Sequence, residues 1–67
     1  MKMPQKPNHQ MTAAEYKSRR EQLGLTQAAL ALRLGVSRRT IIFRESGAKI
    51  TEEAALAIQA LARDGLR

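Results

Sequence analysis

Residues 23–47 read LGLTQAALALRLGVSRRTIIFRESG, and the fold follows from how this stretch is punctuated. Gly24, Gly35 and Gly47 divide it into two short segments. Glycine is favoured just past a helix end, where it takes the left-handed conformation without a Cβ clash. Each segment also opens on a hydroxyl residue placed as an N-cap, Thr26 for the first and Ser37 for the second. The spacing predicts a helix over 27–34 and another over 37–46, joined only by Gly35–Val36. So tight a link, bent at glycine, suits two helices meeting at about 90–120°. A helical hairpin in a bundle is the alternative, but a first helix of about two turns is too short for a bundle seam.

Working outward, the same signals recur. Thr12 and Glu15 form a capping-box pattern, which starts a helix over 12–23. Thr51 is placed as an N-cap, and Glu52 and Glu53 follow where the helix dipole favours anions, which starts a helix over 51–63 ahead of Gly65. No segment alternates as a strand does, and Ala, Leu, Arg and Gln dominate. The expected class is all-α: helices at 12–23, 27–34, 37–46 and 51–63 within one domain spanning 12–67, the middle pair forming a helix-turn-helix. Residues 1–11 contain Pro4, Pro7 and Asn8 and show no periodicity, and read as a disordered N-terminal arm.

Composition narrows the function. The chain has 67 residues and 7.5 kDa, one His and no Cys, so disulfides and thiolate metal sites are excluded and no metal or cofactor is expected. His9 lies in the arm, and no carboxylate cluster or nucleophile–base pair suggests an enzyme. No apolar run approaches the ~20 residues of a membrane span, and no signal-peptide stretch is visible, so a cytoplasmic location is expected. Twelve Lys and Arg against six Asp and Glu leave +6, which points to a polyanion, nucleic acid first. The charge is concentrated: Arg38, Arg39, Arg44 and Lys49 against Glu45 leave +3 on residues 37–49. Residues 50–67 carry −1.

Helical faces place individual residues. Tyr16, Arg20 and Leu23 share the inward stripe of the first helix, and a buried guanidinium requires a partner. In the third helix Ile41 must face the core, and Glu45, four residues on, faces the same way. Arg20 and Glu45 are therefore expected to pair; the alternative is that both reach solvent. Arg39 and Phe43 fall opposite Ile41, Ile42 and Ser46 lie nearby, and Arg38, Thr40 and Arg44 flank them. This suits a groove-reading surface, unless Phe43 belongs to the core. The expected core is Tyr16, Leu23, Leu25, Ala29, Leu30, Leu34, Val36, Ile41, Ile50, Ala54, Ile58 and Leu61. In the last helix Ala54, Ala57, Ile58 and Leu61 form one stripe, and Leu56 with Ala60 a second. The second row reads as a surface for another copy of the chain, or as no more than an Ala-rich helix with one exposed Leu.

Residues 16–47 resemble the phage-repressor and Cro-like (XRE-type) helix-turn-helix family. The likeness rests on Leu23-Gly24-Leu25-Thr26-Gln27, Ala28-Ala29-Leu30-Ala31, Leu34-Gly35-Val36-Ser37, Thr40-Ile41 and Glu45-Ser46-Gly47, in that order and spacing. The resemblance implies a four- to five-helix DNA-binding domain of a homodimeric transcription regulator acting on a two-fold operator. It implies base reading by Arg38, Arg39 and Phe43. It implies DNA-backbone contacts from Thr26, Gln27, Ser37, Thr40, Arg44 and Lys49. Arg20 and Glu45 match the family's structural ion pair. Leu56, Ala60 and Leu66 in the last helix and tail are left as dimer material. Arg44 stands where relatives often carry Trp or another apolar residue, and Ile42 and Phe43 stand where polar residues are usual. The expectation is a small repressor of its own promoter, from a phage, mobile element or bacterial operon, with no small-molecule ligand. The rival is a protein-interaction module, an antitoxin or adaptor gripping its partner through Ile42 and Phe43. Single-strand or RNA binding is disfavoured by a chain with one Tyr, one Phe and no Trp.

Overall fold

The computed structural model describes residues 10–65, apart from the side-chain setting of residue 65. Four helices follow in order: α1 Ala13–Gln22, α2 Gln27–Leu34, α3 Arg38–Glu45 and α4 Glu52–Gly65. The described residues contain no strand, so the chain is all-α. α2 packs against α3, and α1 packs against both α3 and α4. No helix among the described residues is long and apolar enough to cross a membrane.

Side-chain caps start the helices. The Glu15 amide donates to Thr12 Oγ1 at 3.1 Å and the Thr12 amide donates to Glu15 Oε1 at 2.8 Å, a complete capping box. Thr26 Oγ1 accepts from the Ala29 amide, Ser37 Oγ from the Thr40 amide and Thr51 Oγ1 from the Ala54 amide, at 3.0 to 3.1 Å. Thr12, Ser37 and Thr51, read above as first residues of their helices, serve as caps just outside them.

α1 and α2 end by one device. Gly24 donates to the Glu21 carbonyl and Leu25 to that of Arg20; Gly35 donates to the Leu32 carbonyl and Val36 to that of Ala31. This is the paired closure in which a left-handed glycine lets two amides turn back on the final helical turn. Gly35 has φ +73°, strained for any residue with a Cβ, and no helical residue lies between it and the Ser37 cap. The apolar residues after the glycines, Leu25 and Val36, are carried back onto the core. At the far end, α4 runs through Asp64 to include Gly65, so this glycine lies inside the helix and not past a helix ending at 63.

The core comprises Met11, Tyr16, Leu30, Ala31, Ile41, Ile50, Ala54 and Ile58, with Leu23, Leu25, Leu34, Val36, Ala55 and Leu61 packed around it. Three assignments change. Met11, placed above in a disordered arm, is buried; residues 1–9 of that arm lie outside the described residues. It immediately precedes the Thr12 cap, and Tyr16 is the fourth helical residue, the two positions whose apolar side chains staple a helix start. Ala31 is buried and Ala29 only half-buried. On α4, Ala57 is exposed and Ala55 packs on the core, which rotates the inward stripe to Ala54, Ala55, Ile58 and Leu61.

Candidate nucleic-acid interface

The interface is built around α3, and its placement begins with Glu45. The Glu45 carboxylate accepts Arg20 Nε at 2.7 Å on Oε2, and both Arg20 Nη2 at 3.2 Å and Gln27 Nε2 at 3.1 Å on Oε1. Arg20 Nη1 donates onward to the Leu25 carbonyl at 2.8 Å. The Arg20 and Glu45 side chains are 11% and 5% exposed, so neither charge is solvated enough to stand alone. Burial alone pushes the Glu45 carboxyl up, but hydrogen bonds from Arg20 and Gln27, with the charges of Arg20 and Lys17, outweigh it and hold the group below its ordinary value. The hydrogen bond to Glu45 likewise outweighs burial at Arg20 and raises its guanidinium. One carboxylate thus ties the C-terminal end of α3 to α1, to the Leu25 turn and to the start of α2.

Ile41 is fully buried on this inner side of α3. Arg38 and Arg39 are exposed, and so are Ile42 at 39% and Phe43 at 67%. The two arginines and the aromatic ring therefore share the outward side of an eight-residue helix. At its start, Thr40 is half-buried and its hydroxyl lies 3.0 Å from Ser37 Oγ. The start of α2, with Thr26 and Gln27, abuts the end of α3 through the Gln27–Glu45 bond. The first amides of a helix have no partner within it, which makes both helix starts suitable for anions. Lys49 is exposed in the segment joining α3 to α4.

Two residues hold positions that helical faces alone do not give. Gln27, expected above to contact the DNA backbone, donates sideways to Glu45, which fixes its side-chain amide. Arg44, grouped above with the outward flank, is half-buried: Nη1 donates to Tyr16 Oη at 2.9 Å and the guanidinium carbon lies 5.7 Å from the Tyr16 ring centre. Tyr16 is fully buried, and Arg44 supplies its hydroxyl with a partner while covering the ring. Ser46 Oγ closes α3 by donating to the carbonyls of Ile42 and Phe43 at 2.7 and 3.0 Å.

On α4, Leu56 is 55% exposed, and Ala57 and Ala60 are exposed beside it. Leu66, grouped with them above, lies outside the described residues.

Comparison with known proteins agrees with this geometry. No curated protein and no solved structure matched the chain. A family model described as helix-turn-helix matches residues 17–61, more than half of the chain, from within α1 through α2 and α3 into α4. Both glycine closures, the Arg20–Glu45 pair and the exposed side of α3 fall inside that match, and the chain belongs to the phage-repressor and Cro-like helix-turn-helix family of DNA-binding regulators.

Proposed function

We propose that the protein is a sequence-specific transcription repressor that binds a two-fold operator as a homodimer and acts on its own promoter. The observation that carries this reading is the outward side of α3, where Arg38, Arg39 and Phe43 stand free of the bonds that hold the helix in place. An α-helix with its side chains is about 10–12 Å across, close to the width of the major groove. Arg38 and Arg39 present planar donors suited to the O6 and N7 edge of guanine, and Phe43 an apolar ring for the groove floor. Thr26, Gln27, Ser37 and Thr40 lie at the helix starts, where a phosphate is attracted, and Lys49 adds charge in the following segment. Arg44 contributes through whichever of its donors Tyr16 leaves unused.

Two copies place their α3 helices in successive major grooves about 34 Å apart, and this sets the operator's half-site spacing. Leu56, Ala60 and Leu66 are the proposed dimer surface. The domain blocks the promoter by occupying it, at a level set by its own abundance.

The test is a footprint on the DNA upstream of its own gene, repeated across a salt series. A two-fold protected site whose affinity falls linearly with log salt supports the reading. A stable stoichiometric complex with another protein, and no protection at any salt, overturns it in favour of an interaction module. Leu56→Glu separates the dimer from the fold: it is expected to halve the mass in sedimentation, keep the helical circular dichroism of the parent, and remove the dependence of melting temperature on protein concentration that a dimer shows.

A further inference from the structure

Phe43 poses a chemical question. It is the chain's one phenylalanine, it is 67% exposed, and Ile42 next to it is 39% exposed. Leu32 on α2 is exposed as well, but among the described residues only here do two large apolar side chains stand next to each other beside two exposed arginines within one helix. The surroundings say what kind of contact they suit. The exposed side chains within α3 are Arg38, Arg39, Ile42 and Phe43, and none is acidic. An occupant that offers both acceptor or anionic groups and an apolar group a few ångströms away suits this surface. A major groove has this layout: phosphates line its rims, and the C5-methyl of thymine is the apolar group on its floor.

Spacing makes the match specific. Arg39 and Phe43 are four residues apart on one side of α3, about 6 Å along the axis. Stacked base pairs rise about 3.4 Å, so 6 Å is about two steps. Ile42 lies roughly 100° around the helix from Phe43 and borders the same side.

We propose that Phe43 is a specificity residue that reads the C5-methyl group of a thymine about two base pairs from the guanine held by Arg39. This rests on the DNA-reading role of α3 given above and adds the chemical feature that α3 selects. 5-Methylcytosine presents the same methyl group; thymine is the occupant proposed, and the experiment separates the two.

The full chain is titrated against an operator duplex, defined by the footprint or selected from random DNA, with binding read by fluorescence anisotropy. Each thymine of a half-site is replaced in turn by deoxyuridine, which removes only the methyl group. One or two positions in each half-site are expected to lose roughly fourfold in affinity, the effect of one buried methyl-sized group. Phe43→Ala is expected to bind the thymine and uracil duplexes equally at those positions and to melt like the parent, because the ring lies outside the core. A cytosine at the same position is expected to bind more weakly than 5-methylcytosine, and thymine most tightly of the three. Binding that ignores uracil at every position, while Arg39→Ala still loses operator preference, overturns the role of Phe43 and leaves the DNA-reading role intact. A uracil penalty that persists in Phe43→Ala also overturns it, since another group then reads the methyl. If Arg39→Ala keeps full operator preference, the underlying reading of α3 fails instead.

Discussion

α3 contributes one fully buried side chain, Ile41, and is otherwise fixed by polar contacts: the Ser37 cap at its start, Ser46 at its end, and Glu45 and Arg44 bonded back to α1 and α2. α4, the longest helix, buries Ala54 and Ile58 and packs Ala55 and Leu61 on the same core. One helix is oriented by directional bonds and the other by apolar area. Burial is nondirectional and tolerates small rotations, whereas a carboxylate taking three donors from two partners fixes a helix in angle as well as position. The helix proposed to present side chains to DNA at a set angle is the one held by the directional kind.

The largest expected effect strikes the polar side of this contrast. Glu45→Ala removes the acceptor of Arg20 and Gln27 and leaves a guanidinium largely buried, at a cost of about 3–5 kcal/mol in urea denaturation. That is of the order of the whole stability of so small a domain. A loss below about 1 kcal/mol would show that the network does not hold α3. Ile58→Ala tests the apolar side. Ile58 is fully buried, and its truncation is expected to cost about 3 kcal/mol with α3's orientation retained, read as unchanged relative affinities among operator variants. Altered preference would mean that both helices share one constraint.

Arg39→Ala is next, at about 1–3 kcal/mol in specific DNA binding with no change in melting temperature, since the side chain is exposed. The smallest effect is on acid stability. The Glu45 carboxyl is lowered in the folded state, so its contribution is complete above the ordinary carboxylate range and is lost as pH falls through the depressed folded value. Melting temperature should hold level down to that range and then decline. Glu45→Gln should start lower and decline less steeply; parallel curves would assign the acid limb to other carboxylates.

Much of this was legible in the sequence because its signals are local. Hydroxyl caps and glycine closures act within five residues, and they fixed α2 at both ends and the other helices to within one or two residues. The facing of Arg20 and Glu45 followed from helical periodicity together with the cost of a buried charge. What escaped depends on the third dimension. Arg44 flanks the outward side by angle, but its long side chain bends back to Tyr16, and no residue spacing encodes that reach. Gln27 meets Glu45 only because the start of α2 abuts the end of α3. The Ala57 error is one of phase, since an Ala-rich helix gives little contrast between its faces. Met11 did carry a signal, its place before the Thr12 cap and five residues ahead of Tyr16, but nearby prolines masked it.

The division of labour on α3 bears on how such a regulator acquires a new target. The side chains of Arg38, Arg39, Ile42 and Phe43 make none of the bonds described above that seat the helix; those come from Ser37, Ile41, Arg44, Glu45 and Ser46. The two sets alternate along one short segment without sharing a member. A library varying only the four outward positions therefore explores new binding sites at nearly constant stability, and drift among related chains can proceed there without a compensating change elsewhere. Retargeting and folding are separable in this helix, residue by residue.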